Sequence, residues 1–190
     1  MDRDEELMVL SRRVPSAFEP LVERLGPAVH AYLVRRAPDA ADELLSEVWL
    51  AAFTSRSGFD PALGSVRGWL FGIARHVLLA HYRRAARHVG VALPEPASTD
   101  WAAVDARLDA VASGQALKEA LAALPQVERE LLLLVAWEEL TPSEAARVVG
   151  IPAGTARSRL HRARERMRER LTRSEQVLGE RGLDGEGDPP

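Results

Sequence analysis

The sequence predicts an all-α protein: two small helical domains joined by a flexible acidic linker, the second containing a helix-turn-helix. Three observations lead there. Glycine is sparse, 13 of 190 residues, while alanine and the aliphatics abound. Apolar positions recur at helical spacing, and no alternating strand pattern bounded by turns is found. Two arginine-rich apolar blocks are separated by a stretch of proline, small residues and acid.

Taken in order, residues 1–13 (MDRDEELMVLSRR) form an N-terminal extension, acidic first and lacking the apolar core of an export signal. A first domain spans 14–88. It begins with a helix over Phe18–Arg36, broken or bent at Gly26-Pro27, and continues with another from Pro38-Asp39 to about Thr54. A loop over Ser55–Ser65 leads into a long helix, Val66 to about Arg87. Residues 89–114 read as the acidic linker, with a short helix near Trp101–Ala112. The second domain spans 115–173, where Pro125 separates two helices ahead of the helix-turn-helix. Residues 174–190 end in glycine, proline and acid and read as a disordered tail.

The chain has no cysteine, which removes disulfides and thiolate metal sites and fits a reducing cytosol. No apolar run approaches the ~20 residues that span a bilayer, so the expected location is cytoplasmic. A formal net charge of −3 conceals strong local asymmetry. Between Asp60 and Glu95 there is no acidic residue, while Arg67, Arg75, Arg83, Arg84 and Arg87 lie inside. Local charge, not pI, decides nucleic-acid affinity.

Residues 138–171 carry the most specific pattern. Thr141 suits an N-cap, Pro142 the first helical position, and Glu144 the third residue of a capping box. Gly150 suits the tight turn, and Pro152 is tolerated where the next helix starts. Projected at about 100° per residue, Ala156, Leu160, Ala163, Met167 and Leu171 form one narrow apolar stripe. Thr155, Ser158 and Arg162 fall opposite, flanked by Arg157, Arg159, His161 and Arg166. From Ala156 to Arg173 there are eight arginines against two glutamates. A docked apolar stripe with hydroxyls and guanidiniums facing outward is what reading a major groove requires.

In DAADELLSEVWLAAFT (residues 39–54), Ala41, Leu44, Leu45, Val48, Ala51 and Ala52 make a core stripe. Trp49 and Phe53 project to the far side beside Asp42 and Ser46, with Glu43 and Glu47 on an edge. Two readings fit this periodicity: the domain buries both faces, or the second face awaits a partner surface. In the long helix, Val66, Trp69, Leu70, Ile73 and Val77 line the inner face. Phe71, Arg75, Leu78 and Tyr82 lie opposite, with Arg83 and Arg84 at the end. Aromatics interleaved with arginines suit single-stranded DNA, where stacking is worth ~1–3 kcal/mol per base. Phe71 and Leu78 are better suited to packing on the Phe18–Arg36 helix.

The strings IPAGTARSRLHRARERMRERL and LPQVERELLLLVAWEELTPSEAARVVG resemble the C-terminal, promoter-reading domain of bacterial sigma factors of the extracytoplasmic-function (ECF) group. ADELLSEVWLAAF resembles that family's segment that grips the polymerase clamp helices. GSVRGWLFGIARHVLLAHYRR resembles the segment that captures the melted minus-ten strand. The order is right, and either half alone would be an ordinary module. The resemblance implies a polymerase-docking surface of Asp42, Glu43, Ser46, Glu47, Trp49 and Leu50. It implies contacts to the melted strand from Gly58, Phe59, Ser65, Arg67, Arg75, Tyr82, Arg83 and Arg84, with a base pocket in the loop Gly58–Ser65. It implies duplex contacts from Thr155, Arg157, Ser158, Arg159 and Arg162. Ser46, His76, Ala80 and Pro152 depart from residues common at those positions.

The expected partners are core RNA polymerase, promoter DNA and an anti-sigma factor; no cofactor or metal is implied. The rival reading is a stand-alone helix-turn-helix regulator with a helical dimerisation or sensor domain, which would bind duplex DNA without polymerase. An enzyme is not indicated. The histidines (His30, His76, His81, His88, His161) lack metal-pair spacing, and there is no glycine-rich phosphate loop and no cysteine nucleophile.

Overall fold

Asp2 opens the first helix, α1 (Arg3–Ser11), through a capping box in which its own N–H meets Glu5 Oε2 at 2.9 Å. In the computed structural model, which describes residues 2–89 and 114–183, every regular element is helical. Met8 is buried to 1% exposure and Ser11 is fully buried. Residues 3–11 of the expected N-terminal extension thus form a helix whose Met8 joins the core of the helices that follow. Its apolar side chains needed a surface that sequence periodicity alone did not reveal.

A 3-10 turn at Pro15–Phe18 leads into α2 (Glu19–Val34), whose stripe Leu21, Leu25, Val29, Tyr32 and Leu33 is buried. The helix expected to be broken or bent at Gly26-Pro27 is unbroken there. Pro27 and Glu23 are both exposed, so the carbonyl that proline leaves without a donor lies on the solvent side. A second 3-10 turn at Pro38–Ala40 precedes α3 (Ala41–Ser55), and a third at Arg56–Gly58 starts the loop to α4 (Val66–Val89). Ala41, Leu44, Val48 and Ala52 bury one face of α3. On α4, Leu70 and Phe71 are both buried, as are Val77 and Leu78, so this helix is covered on two sides. Phe71 meets Tyr32 edge-on at 5.3 Å, which settles its role and that of Leu78 as core packing.

The expected linker, including the short helix near Trp101–Ala112, lies outside the described residues. The second domain comprises α5 (Gly114–Ala122), α6 (Gln126–Ala136), α7 (Pro142–Val149) and α8 (Ala153–Leu183). The backbone of α8 continues ten residues into the span expected as a disordered tail, and residues 184–190 lie outside the described ones. Ala120, Leu121, Leu124 and Leu133 form a satellite core with Ala163 and Met167. The main core does not stop at a domain boundary. Leu131, Leu134, Leu140, Ala145, Ala146 and Val148 join the same apolar cluster as Tyr32, Leu70 and Phe71.

Candidate nucleic-acid interfaces and docking surface

The helix-turn-helix forms as its capping residues require. The Thr141 hydroxyl accepts from the Glu144 backbone N–H, and Glu144 Oε2 accepts from the Thr141 N–H at 2.9 Å. Gly150 turns the chain in the left-handed region at φ 82°. Ala156, Leu160, Ala163 and Met167 are buried, which rotates the opposite face outward. Arg157, Ser158 and Arg162 are exposed, while Thr155 and Arg159 are half-buried. The Ser158 hydroxyl donates to the Thr155 carbonyl at 2.9 Å. Arg157 and Arg159 form no ion pair among the described residues. Glu128 of α6 pairs with Arg166 and reaches Arg162 at 3.8 Å, the outer limit of an ion pair.

The face of α4 expected to hold single-stranded DNA is in a different state. Phe59 is only 3% exposed and meets Trp69 edge-on at 5.7 Å, so its ring is structural. Gly58 is exposed. Phe59, Leu63, Trp69 and Ile73 line a cavity of about 510 Å3 whose far wall is Glu144 and Arg147 of α7. Ser65 gives its backbone N–H to Glu144 Oε1 at 3.0 Å and its hydroxyl to the same oxygen. Arg67 Nε donates to the Glu138 carbonyl at 2.7 Å, and Arg75 Nε donates to Glu130 Oε1 at 2.8 Å. Burial works to lower the Arg75 pKa, yet the hydrogen bond and charge of Glu130 outweigh it and raise the value. Tyr82 turns its hydroxyl to the Arg36 carbonyl, and Arg84 pairs with Glu47 at 3.0 Å. Arg83 is exposed.

On α3, Trp49 and Phe53 are half-buried because the Phe18 ring sits edge-on to both, at 5.9 and 5.4 Å. The second aromatic face is thus largely covered from within. What remains outward is Leu50, 70% exposed, with Asp42, Glu43 and Ser46 exposed beside it and Glu47 half-buried. Asp42 Oδ1 lies 2.9 Å from His30 Nε2.

Several participating residues carry no sequence signal. Glu130 and Glu138 look like ordinary helix-surface acids, and Glu144 is legible as a cap but not for its second bond to Ser65. The Arg12 guanidinium donates to the Phe59 carbonyl, and Arg56 Nε donates to the Ser11 carbonyl at 3.2 Å. These two arginines tie α1 to the loop before α4. Only spatial neighbours reveal them.

Among the described residues there is no cluster of three His, Cys, Asp or Glu that could hold a metal ion, and no helix long and apolar enough to cross a membrane. Residues 21–88 match the family described as Sigma-70 region 2, and residues 114–167 match Sigma-70, region 4. The fold and the helix-turn-helix therefore define a DNA-binding factor of transcription initiation. The chain is 36% identical over 163 residues to the ECF RNA polymerase sigma factor SigF of Caulobacter vibrioides, spanning 84% of this chain and 88% of that one. It is 28% identical over 176 residues to the ECF RNA polymerase sigma factor RpoE of Cereibacter sphaeroides, spanning 86% and 91%. Among solved structures it is similar to the sigma factor RpoE of Bartonella quintana bound to the anti-sigma factor NepR. That likeness has a TM-score of 0.58 at 25% identity, covering 82% of this chain and 96% of that one. The chain belongs to the ECF group of bacterial RNA polymerase sigma factors.

Proposed function

We propose that this ECF sigma factor divides its work among three surfaces. Leu50, with Asp42, Glu43, Ser46, Glu47 and the covered Trp49 beneath it, docks on core polymerase. The α4 face and the loop Gly58–Ser65 capture the melted minus-ten strand through Ser65, Arg67, Arg75, Arg83 and Arg84. Phe59 and Tyr82 act there as supports for the pocket and helix. Helix α8 reads the minus-thirty-five duplex with Arg157, Ser158, Arg159 and Arg162, while Thr155 serves a phosphate or base edge.

One observation supports this reading most: Ala156, Leu160, Ala163 and Met167 of α8 are buried while Arg157, Ser158 and Arg162 stay exposed. The protein has no catalytic residue of its own and acts in the cytoplasm, the polymerase supplying the chemistry. An anti-sigma partner of the kind seen on the Bartonella quintana relative would regulate it.

Run-off transcription on a library of promoter fragments, with bacterial core polymerase and with or without this chain, tests the reading. Specific initiation dependent on the chain is the expected result. Binding to duplex DNA as a dimer with no affinity for core would favour the stand-alone regulator instead. Leu50→Asp separates the surfaces: core affinity should fall while duplex contacts are untouched.

A further inference from the structure

The cavity beside the loop before α4 has the size of a small-molecule site. Its volume of about 510 Å3 falls in the range of roughly 300–1,000 Å3 where ligand pockets combine apolar walls with a few placed polar groups. Phe59, Trp69, Ile73 and Val77 supply such walls. Phe59 is 3% exposed and its ring meets Trp69 edge-on at 5.7 Å, so this wall is held from behind. Leu63 also lines the cavity and is 64% exposed, which places the mouth on the loop side.

Two glycines of α4 line this cavity for different reasons. At Gly68 a Cβ would lie 3.0 Å from Glu144 Oε1, so the close approach of α7 requires glycine. Gly72 follows one turn later, and a Cβ there would have no neighbour within 4 Å. Glycine weakens a helix interior relative to alanine. Nothing in the packing of this chain demands it at 72. Its effect is to widen the cavity beside Trp69 and Ile73.

The charges around the cavity select the sign of an occupant. The titratable side chains lining it are Asp60, His76, Glu144 and Arg147. Both oxygens of Glu144 are engaged: Oε1 accepts from the Ser65 N–H at 3.0 Å and from its hydroxyl, and Oε2 accepts from the Thr141 N–H at 2.9 Å and its hydroxyl at 2.7 Å. Asp60 Oδ1 accepts from the Ala62 N–H of its own loop at 2.9 Å. His76 is exposed. Arg147 forms no ion pair among the described residues, and its guanidinium lies over Gly64, where a Cβ would be 2.5 Å from Nη2. The carboxylates already have partners, and the guanidinium has none of opposite charge.

We propose that this cavity binds a small organic acid with an aromatic or branched aliphatic body. The body lies against Trp69, Ile73 and the backbone of Gly72, and the carboxylate pairs with Arg147. A guanidinium presents a carboxylate with two parallel donors, which fixes orientation as well as charge. A cationic ligand would meet that guanidinium as a like charge and find Glu144 already hydrogen-bonded. The inference goes beyond the reading of three macromolecular surfaces and stands whether or not a base is also received at this loop. Such a site would let a dissolved organic acid act on the sigma factor directly.

The test titrates naphthoate and its neutral isostere naphthamide into the full chain and follows binding by ligand-observed NMR. Naphthoate should bind about tenfold more tightly, the scale of one charge-assisted contact to an exposed arginine. Arg147→Gln should erase that difference and leave naphthamide binding unchanged. Gly72→Leu should abolish binding of both compounds by filling the cavity. Gly154→Leu, at another helical glycine with open space beside its Cβ, should leave both unchanged. The Arg147 comparison does not depend on how the leucine packs. Equal affinity for acid and amide, or a preference that survives Arg147→Gln, overturns the anion site. Binding that survives Gly72→Leu puts the ligand elsewhere and overturns the cavity. Failure of both compounds to bind also overturns the proposal, and a loss of single-stranded oligonucleotide affinity in Gly72→Leu would then assign the space to an extruded base.

Discussion

On α4, Arg67 and Arg75 lie against oxygens of the other domain, and Arg84 pairs with Glu47 of its own. On α8, Arg157 and Arg159 have no ion pair among the described residues, and Arg162 has only a marginal one at 3.8 Å. The two surfaces share a chemistry, guanidiniums on a helix whose other side is docked, and differ in availability. On the proposed reading, the two faces bind different forms of DNA. A duplex is present before initiation begins, so its reader can stand open. A melted strand exists only after opening. On the α4 face, the Glu130 carboxylate meets Arg75 and the Glu138 carbonyl meets Arg67.

The largest predicted effect breaks the comparison at its buried end. Glu138→Ala leaves Arg35 charged in the interior, which typically costs about 3–5 kcal/mol. Arg157→Ala on the exposed face should stay within about 0.5 kcal/mol. Urea unfolding monitored at Trp137, which stacks near Arg35, reads both. Equal effects from the two substitutions would mean that the inter-domain pair does not hold the molecule together.

The next effect concerns the open surface. Arg159→Ala and Arg162→Ala each remove a candidate groove contact, worth about 1–3 kcal/mol where the hydrogen bonding is bidentate. Promoter-dependent run-off should fall roughly tenfold or more, with core affinity preserved. Loss of core affinity as well would show that α8 faces protein rather than duplex.

A pH titration sharpens the comparison from the covered side. Burial alone would raise the Glu144 carboxyl, but hydrogen bonds from Ser65 and Thr141 outweigh it and hold the pKa at about 2, down from 4.5. A group whose folded pKa is depressed contributes stability above its unfolded value and loses it as pH falls through the folded one. The contribution of Glu144 is therefore complete above about 4.5 and lost on descending toward about 2. Part of it belongs to the α7 cap through Thr141 and part to Ser65. Ser65→Ala should flatten the acid limb only in part. If it abolished the limb altogether, the cap would contribute nothing.

How much of this was readable from the sequence depends on the range of each interaction. The cap Thr141–Glu144, the left-handed Gly150 and the stripe Ala156–Leu160–Ala163–Met167 are local. Periodicity and turn chemistry specify them, and the structure has them. Periodicity leaves open whether Trp49 and Phe53 are buried or await a partner, and Phe18, distant in sequence, decides it by covering both in large part. Residues 1–13 escape a sequence reading for the same reason: the burial of Met8 depends on helices that come later in the chain. The engagement of Arg75 by Glu130, 55 positions away, has no local signature at all. Charge patterning marks α4 as a surface suited to anions, but it cannot reveal that Glu130 of the chain itself faces Arg75 there.

A smaller effect concerns the loop end held within the first domain. Arg12 donates to the carbonyl of buried Phe59, at the loop end opposite to Ser65. Arg12→Ala removes a hydrogen bond from a charged donor, worth about 1.5–3 kcal/mol at most and less where the arginine is exposed, as here. Discrimination at the base entering the cavity should relax by a few fold, while duplex reading by α8 is unaffected. Arg12→Lys should restore part of it. Uniform loss across all promoter positions would reduce Arg12 to a stability contact.

The smallest effect isolates the turn that presents Glu138. Glu139 is the one non-glycine residue at positive φ among the described residues, at 54°, and a left-handed L-residue costs roughly 1–2 kcal/mol. Glycine removes that cost but adds freedom to the unfolded chain, so Glu139→Gly should stabilise by only about 0.5 kcal/mol. The Leu140 N–H bond to the Leu134 carbonyl at 3.1 Å, which closes this helix end, should persist in the variant. The opposing term is the contact from the Glu139 carboxylate to Arg67, at 3.7 Å with the glutamate 77% exposed, a geometry that contributes little in water. A stabilised variant would show that backbone strain at this position outweighs the contact to Arg67. A destabilised one would mean that this long, solvated contact outweighs backbone strain.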